Sequence, residues 1–232
     1  MNINKNLFIS IFSLTLTASV FAQDAEEIVV TGIRANEYNE LPAVTFSKKA
    51  DFLVQRVELI NDSRAPDLRK NEILQTIKNL ISAAKKIHGI ELSYGEGFLT
   101  PINLDDESLR ILDDKKASDT SHIRISIKIA IAEKESAKLK IEELKKFLKG
   151  ANLVGRTEIE NQGDIGLSIV NPEQYRPEIL ALIAKENSKL KEALGTNCYT
   201  ENDGLSGRVE WDRTAVDELV LYIRHATKVV CK

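Results

Sequence analysis

The residue pattern predicts an α+β fold: two linked βαβ-like subdomains with mainly antiparallel sheets and three long helices packed on them. Three observations predict it. Three stretches have helical periodicity and each closes on a glycine, isoleucine alternates with other residues through 122–131, and strands and helices follow one another along the chain.

Residues 66–87 place Ile73, Leu74, Ile77, Leu80, Ile81, Ala84 and Ile87 at spacings of three and four, the stripe of a half-buried helix. Ser63 or Asp67 is placed to cap its start and Gly89 to close its end. The second helix, 136–148, turns Leu139, Leu144, Phe147 and Leu148 inward and stops at Gly150. The third, 172–194, turns Ile179, Leu182, Ile183, Leu190 and Leu194 inward and reaches Gly195.

Strands fill the intervals. Residues 27–33 are a short β-rich run, and 43–59 read as one long alternating strand with a bend near Lys48-Lys49. Residues 90–94 follow the first helix. Across 122–131, Ile123, Ile125, Ile127, Ile129 and Ile131 share one face, with Arg124, Ser126, Lys128 and Ala130 on the other, as in a half-buried antiparallel strand. Residues 153–159 and 165–170, split by Glu160-Asn161-Gln162-Gly163-Asp164, read as a hairpin, and 218–230 as a final strand. The Asp- and Pro-bearing stretch 95–117 reads as a linker or mobile loop, and 196–207 as a second irregular region.

Residues 1–22 read as a signal peptide. Lys5 supplies the positive start, 7–16 are apolar apart from Ser10, Ser13 and Thr15, and Val20-Phe21-Ala22 suits a signal peptidase. Cleavage is expected between Ala22 and Gln23, leaving one domain over 23–232. The apolar run falls short of the ~20 residues of a membrane anchor, and the cleavage site has no cysteine for a lipid. The expected compartment is the periplasm, with secretion or outer-membrane association as alternatives, and no transmembrane segment is expected in the mature chain. In that setting Cys198 and Cys231 are expected to form a disulfide, and no CxxC redox motif is present.

The formal charge is −3, and loss of Lys5 with the leader leaves −4, which argues against nucleic acid as a partner. Three histidines, His88, His122 and His225, lack metal-ligand spacing, and no HExxH, GxSxG, P-loop or GxGxxG occurs. No catalytic, cofactor or metal site is therefore expected, and the chain reads as a non-enzyme. Asp105-Asp106-Glu107 with Asp113-Asp114 lacks the spacing of an EF-hand and reads as a solvated loop. Lys138, Lys140, Lys145, Lys146 and Lys149 are interleaved with Glu135, Glu142 and Glu143, which suggests ion pairs more than a basic patch. Trp211 reads as a satellite core residue or a partner anchor. Glu26-Glu27-Ile28-Val29-Val30-Thr31-Gly32 looks like a TonB box, which pairs with its partner as an added strand, but a plain first strand explains the same residues and is the preferred reading.

The order and spacing of several segments resemble the SIMPL-domain family of bacterial exported proteins, which includes oxidative-stress-defence and periplasmic immunogenic proteins. The resembling residues are Ile28-Val29-Val30-Thr31-Gly32, Leu41-Pro42-Ala43-Val44-Thr45-Phe46, the strand over 122–131, Leu148-Lys149-Gly150-Ala151-Asn152, Gly166-Leu167-Ser168-Ile169-Val170 and Ala193-Leu194-Gly195. The chain departs from the family at Ile33-Arg34-Ala35, where a Gly-rich stretch is usual, at the charged Lys185-Glu186-Asn187, and in its cysteine pair. The resemblance implies a non-catalytic envelope protein linked to stress tolerance, a homo-oligomer acting through its surfaces or with an envelope partner. The alternative is a monomeric ligand-binding or TonB-linked module.

Overall fold

The structure is a computed structural model that describes residues 27–30, 41–95, 98–104, 111–113, 119–195 and 197–232. The expected leader with its Ala22–Gln23 cleavage site lies outside the described residues, as do Glu26, Thr31, Gly32, Asp105, Asp106, Glu107 and Asp114.

The strands are β1 (Glu27–Val30), β2 (Phe46–Lys49), β3 (Phe52–Asn61), β4 (Ile90–Tyr94), β5 (Thr100–Pro101), β6 (Leu112–Asp113), β7 (Ser121–Ala130), β8 (Thr157–Asn161), β9 (Gly166–Val170), β10 (Cys198–Asp203), β11 (Val209–Arg213), β12 (Glu218–Ile223) and β13 (Ala226–Cys231). The helices are α1 (Pro66–Ala84), α2 (Ala137–Lys149) and α3 (Arg176–Leu194). This corrects the α+β expectation. Strand outweighs helix among the described residues, 38% against 31%, so the chain is built mainly from antiparallel sheets. An eight-stranded sheet, a three-stranded sheet and a two-stranded ribbon replace the two βαβ-like subdomains.

The reason lies in how the connections interlock. β3 and β7 pair along their whole length, from Phe52 opposite Ala130 to Asn61 opposite Ser121. Helix α1 links β3 to β4, which lies on the far side of β7, and α2 links β7 to β8, which lies on the far side of β3. Each crossover steps over a strand belonging to the other, so neither unit has a sheet of its own. Leu53, Val57 and Leu59 of β3 and Ile123, Ile125, Ile127 and Ile129 of β7 form one buried cluster with Ile73, Ile77 and Leu80 of α1 and Leu144 and Phe147 of α2. The alternation in β7 predicted that face.

Three strand expectations are corrected. Residues 43–59 divide at Ala50-Asp51 into β2, in the three-stranded sheet, and β3, in the large one. Residues 153–159 and 165–170 are not a hairpin. β8 pairs with the Val57–Asn61 half of β3 and β9 with Phe52 to Val54, so the two lie end to end along one edge. Residues 218–230 divide into β12 and β13, which belong to different sheets. The stretches expected to be irregular also contain strands, since β5 and β6 fall within 95–117 and β10 within 196–207.

β10 and β13 form a ribbon whose first register pair is Cys198 and Cys231, and a disulfide joins them as the sequence predicts. Helix α3 is preceded by a 3₁₀ turn, Pro172–Tyr175, and buries Ile179 and Ile183. Two positions of its expected inward stripe, Leu182 and Leu194, are exposed, as is Leu139 on α2. No helix among the described residues is long and apolar enough to cross a membrane.

The start of α1 is organised differently from expectation. Ala65 is its N-cap, and the Ser63 hydroxyl instead donates to Glu72 Oε2 at 2.7 Å. Asn61 Nδ2 donates to the same oxygen at 2.7 Å and the Arg156 N–H at 3.2 Å. The hydrogen bond from Ser63, then those from Asn61 and the Arg156 amide, hold the Glu72 carboxyl below its ordinary value of 4.5. Its contribution to stability is therefore present above pH 4.5 and is lost as pH falls through the lower folded value. Gly155 makes room for this carboxylate: its φ is +59, and a Cβ there would lie 2.1 Å from Glu72 Oε1. Gly163 has a similar φ of +73 with open space around it. Alanine at either position is expected to incur about 1–2 kcal/mol of left-handed backbone strain. Gly155→Ala should lower the melting temperature further, and Glu72→Ala should remove that excess. Equal melting temperatures for Gly155→Ala and Gly163→Ala would mean that the carboxylate moves aside without loss.

Candidate functional site

Alternation along β3 and β7 sends Phe52, Val54, Arg56 and Glu58, with His122, Arg124, Ser126 and Lys128, to the sheet face opposite the isoleucines. Six of these eight side chains are polar or charged.

A pocket of about 320 Å³ opens on it, lined by Arg56, Arg124, Ser126, Gln162 and Gly95 and by Val57 and Ile125, whose side chains are buried in the core. It lies where β3 changes partner. Between the segments paired with β9 and β8, the Gln162 N–H donates to the Arg56 carbonyl at 2.8 Å, and the Gln55 amide donates to the Gly163 carbonyl at 3.2 Å. The loop thus satisfies the backbone beside Arg56 without continuing the ladder, and Gln162 is carried to the pocket wall.

Glu58 organises the rim. Its side chain is only 13% exposed. It accepts from Arg124 Nε at 3.1 Å and from Gln162 Nε2 at 3.0 Å, and His122 Nε2 lies 3.9 Å away. These contacts orient the Arg124 guanidinium while leaving its two terminal nitrogens without a hydrogen bond among the described residues. Arg56 pairs across the ladder with Ser126 and Glu58 with Arg124, so the two arginines are diagonal neighbours on one face. Arg56, Arg124, Gln162 and Ser126 together make the pocket lining largely polar.

Beyond Ser126 the same face is sealed. Lys128 is 3% exposed and forms ion pairs with Glu27 and, at 3.1 Å, with Glu91. Glu27 also accepts from the Ser168 hydroxyl at 2.5 Å, and the Lys128 ammonium stands 4.2 Å from the Phe52 ring centroid. The Leu99 N–H donates to the Glu27 carbonyl at 3.0 Å, linking the segment ahead of β5 to β1 at the other end of the strand path. Ser93, opposite Ser126, is fully buried with no hydrogen-bond partner for its hydroxyl among the described residues.

The residues singled out from sequence fall elsewhere. His88 is exposed in the turn after α1, and His225 Nδ1 lies 2.8 Å from the Ile223 carbonyl oxygen; only His122 reaches the pocket rim. Asp113, the described member of the acidic cluster, accepts from Ser121 at 2.7 Å and pairs with Lys70 at 3.4 Å. In the lysine-rich helix Lys140 lies 3.3 Å from both Glu135 and Glu143, as interleaving suggested. Trp211 is a partly buried residue of β11 packed against the core. Among the described part of the TonB-box-like motif, Glu27–Val30 pairs antiparallel with β9 from Glu27 opposite Val170 to Val30 opposite Leu167. No group of three His, Cys, Asp or Glu among the described residues is arranged to hold a metal ion.

Sequence reasoning missed Arg56, Gln162 and the Lys128 cluster. The available signal was on the second face of 122–131, where Arg124, Ser126 and Lys128 follow each other opposite the isoleucines. No protein-family model matches the chain, and no curated protein or solved structure matches it.

Proposed function

We propose that this chain is a non-catalytic protein of the bacterial envelope, of the SIMPL type, that works by binding. The observation that carries the reading is the polar pocket on the sheet face opposite the isoleucines, where Glu58 holds Arg124 by its Nε. Pockets of about 300 Å³ and above accommodate small molecules. Export rests on the N-terminal pattern, and the disulfide is compatible with it.

The test is an NMR titration of the mature protein with acidic, basic and neutral compounds of metabolite size. Shifts confined to Gly95, Ser126, Gln162 and their neighbours are expected, with each compound recovered unchanged. A panel that leaves these resonances still removes the binding reading. Turnover of a compound, lost on substitution of a pocket residue, removes the non-catalytic one.

A second reading, assembly into a homo-oligomer, is favoured by a separate observation. Leu182 and Leu194 of α3 and Tyr199 of the adjoining β10 are exposed at 36%, 52% and 44%, an apolar set on neighbouring elements. Light scattering after size exclusion is expected to show a discrete assembly that Leu194→Lys weakens. A monomer leaves the pocket as the working surface.

A further inference from the structure

We infer that the outer edge of β13 pairs with the same edge of a second copy of this chain, joining two β10–β13 ribbons into one four-stranded antiparallel sheet across a two-fold axis. The inference rests on the assembly reading given above and names its surface.

The register of the ribbon shows which backbone groups are open. The Lys232 N–H donates to the Asn197 carbonyl at 3.1 Å, one step beyond the paired Cys198 and Cys231. In an antiparallel ladder such bonds recur at every second residue. Val230 and Lys228 therefore also turn their N–H and C=O groups toward β10, while Thr227, Val229 and Cys231 turn theirs outward. The backbone of these three has no hydrogen-bond partner among the described residues. Thr227 and Cys231 are exposed and Val229 is partly buried, and neither proline nor glycine interrupts β13. A straight edge with open backbone groups is a template for another strand. On the opposite edge of the ribbon, the Cys198 N–H is already taken by the Gly195 carbonyl at 3.2 Å.

The residues on this edge favour its own copy in one register. A two-fold axis at Val229 sets Val229 against its equivalent and Thr227 against Cys231 of the partner subunit, so every outward N–H and C=O of β13 finds a mate. Moving the axis to Lys228 puts two lysines directly opposite each other. Moving it to Val230 puts Lys228 opposite Lys232 of the partner subunit. Both shifts oppose like charges and shorten the ladder. In the Val229 register Lys228 meets Val230 of the partner subunit, and its own ribbon already places Glu201 beside it. Thr200 and Val229, paired within the ribbon, then continue into the same two residues of the other copy, a row of β-branched side chains across the sheet. Tyr199 is the register partner of Val230, which brings the exposed apolar set of the assembly reading to this seam. An edge that meets itself closes after two copies instead of growing into a chain. The contact is small, so the dimer should be concentration-dependent.

Sedimentation velocity and amide exchange of the mature protein over a concentration series test the assignment. An assembly with an even number of copies is expected. In it the Thr227 and Val229 amides should exchange slowly, and dilution to the monomer should speed them about tenfold or more, with much smaller changes at Lys228 and Val230. Val229→Pro removes an outward N–H and spares the bonds to β10, so it should raise the dissociation constant about tenfold or more while the ribbon stays folded. Val229→Lys sets two charges against each other at the axis and should act in the same direction. Unchanged thermal melting at low concentration should show that the variants fold. Fast exchange of Thr227 and Val229 within an assembled protein, an odd number of copies, or association untouched by both variants would overturn the assignment and leave the assembly reading standing. A monomer at every soluble concentration would remove both.

Discussion

Lys128→Ala is expected to lower stability by about 3–5 kcal/mol, the usual loss when one member of a buried ion pair is removed. Both partners are covered, with side-chain exposures of 4% for Lys128 and 8% for Glu27. Removing the ammonium leaves the Glu27 carboxylate in the interior with Ser168 as its remaining side-chain donor. Glu91, 53% exposed, is left in water and contributes little to the cost. At about 2–4 °C per kcal/mol for a domain of this size, the melting temperature should fall by roughly 6–20 °C. The double variant Lys128→Met with Glu27→Leu discriminates the cause. It removes both charges and keeps apolar volume over Phe52, so much of the loss should be regained. Hydrogen exchange should locate the damage in β1 and β9, whose pairing the cluster anchors. A change below about 1 kcal/mol for Lys128→Ala would mean that water reaches Glu27.

Removal of the disulfide has the second large effect. Cys198 and Cys231 are 33 residues apart, and closing a loop of that length restricts the unfolded chain by about 3–4 kcal/mol in the chain-entropy account. The loss should be uneven. β10 and β13 pair only with each other among the described strands, and a two-stranded ribbon is marginal without support. β12, by contrast, is held between β11 and β2. With Cys198→Ser and Cys231→Ser together, amide protection should drop across both ribbon strands and persist in β12. Intact mass should rise by two hydrogens when the natural protein is reduced and unfolded. Free thiols before reduction, or an unchanged ribbon in the double variant, would contradict this account.

Much of the local structure was legible in the residues. The three helices lie within or close to the stretches marked by their apolar spacing, and Gly150 and Gly195 occupy the C-cap positions of α2 and α3. The isoleucine alternation of β7 marked its buried face, and Cys198 and Cys231 pair as their setting implied. These features depend on the period of a single segment or on the chemistry of two identical residues, and the sequence by itself determines them.

What only the tertiary structure decided concerns which segment lies beside which. Gln162 belongs to what reads as an ordinary hairpin turn, yet β8 and β9 run end to end along β3, and that break carries Gln162 to Arg56. Lys128 and Glu27 are 101 residues apart and meet because β1, β9, β3 and β7 are consecutive in the sheet. Leu182 and Leu194 have inward spacing but remain exposed, because the elements that cover Ile179 and Ile183 do not cover them. Strand alternation and helix period state which face of an element is apolar. Neither names the partner, since pairing is settled by the burial and hydrogen bonding of the whole sheet at once.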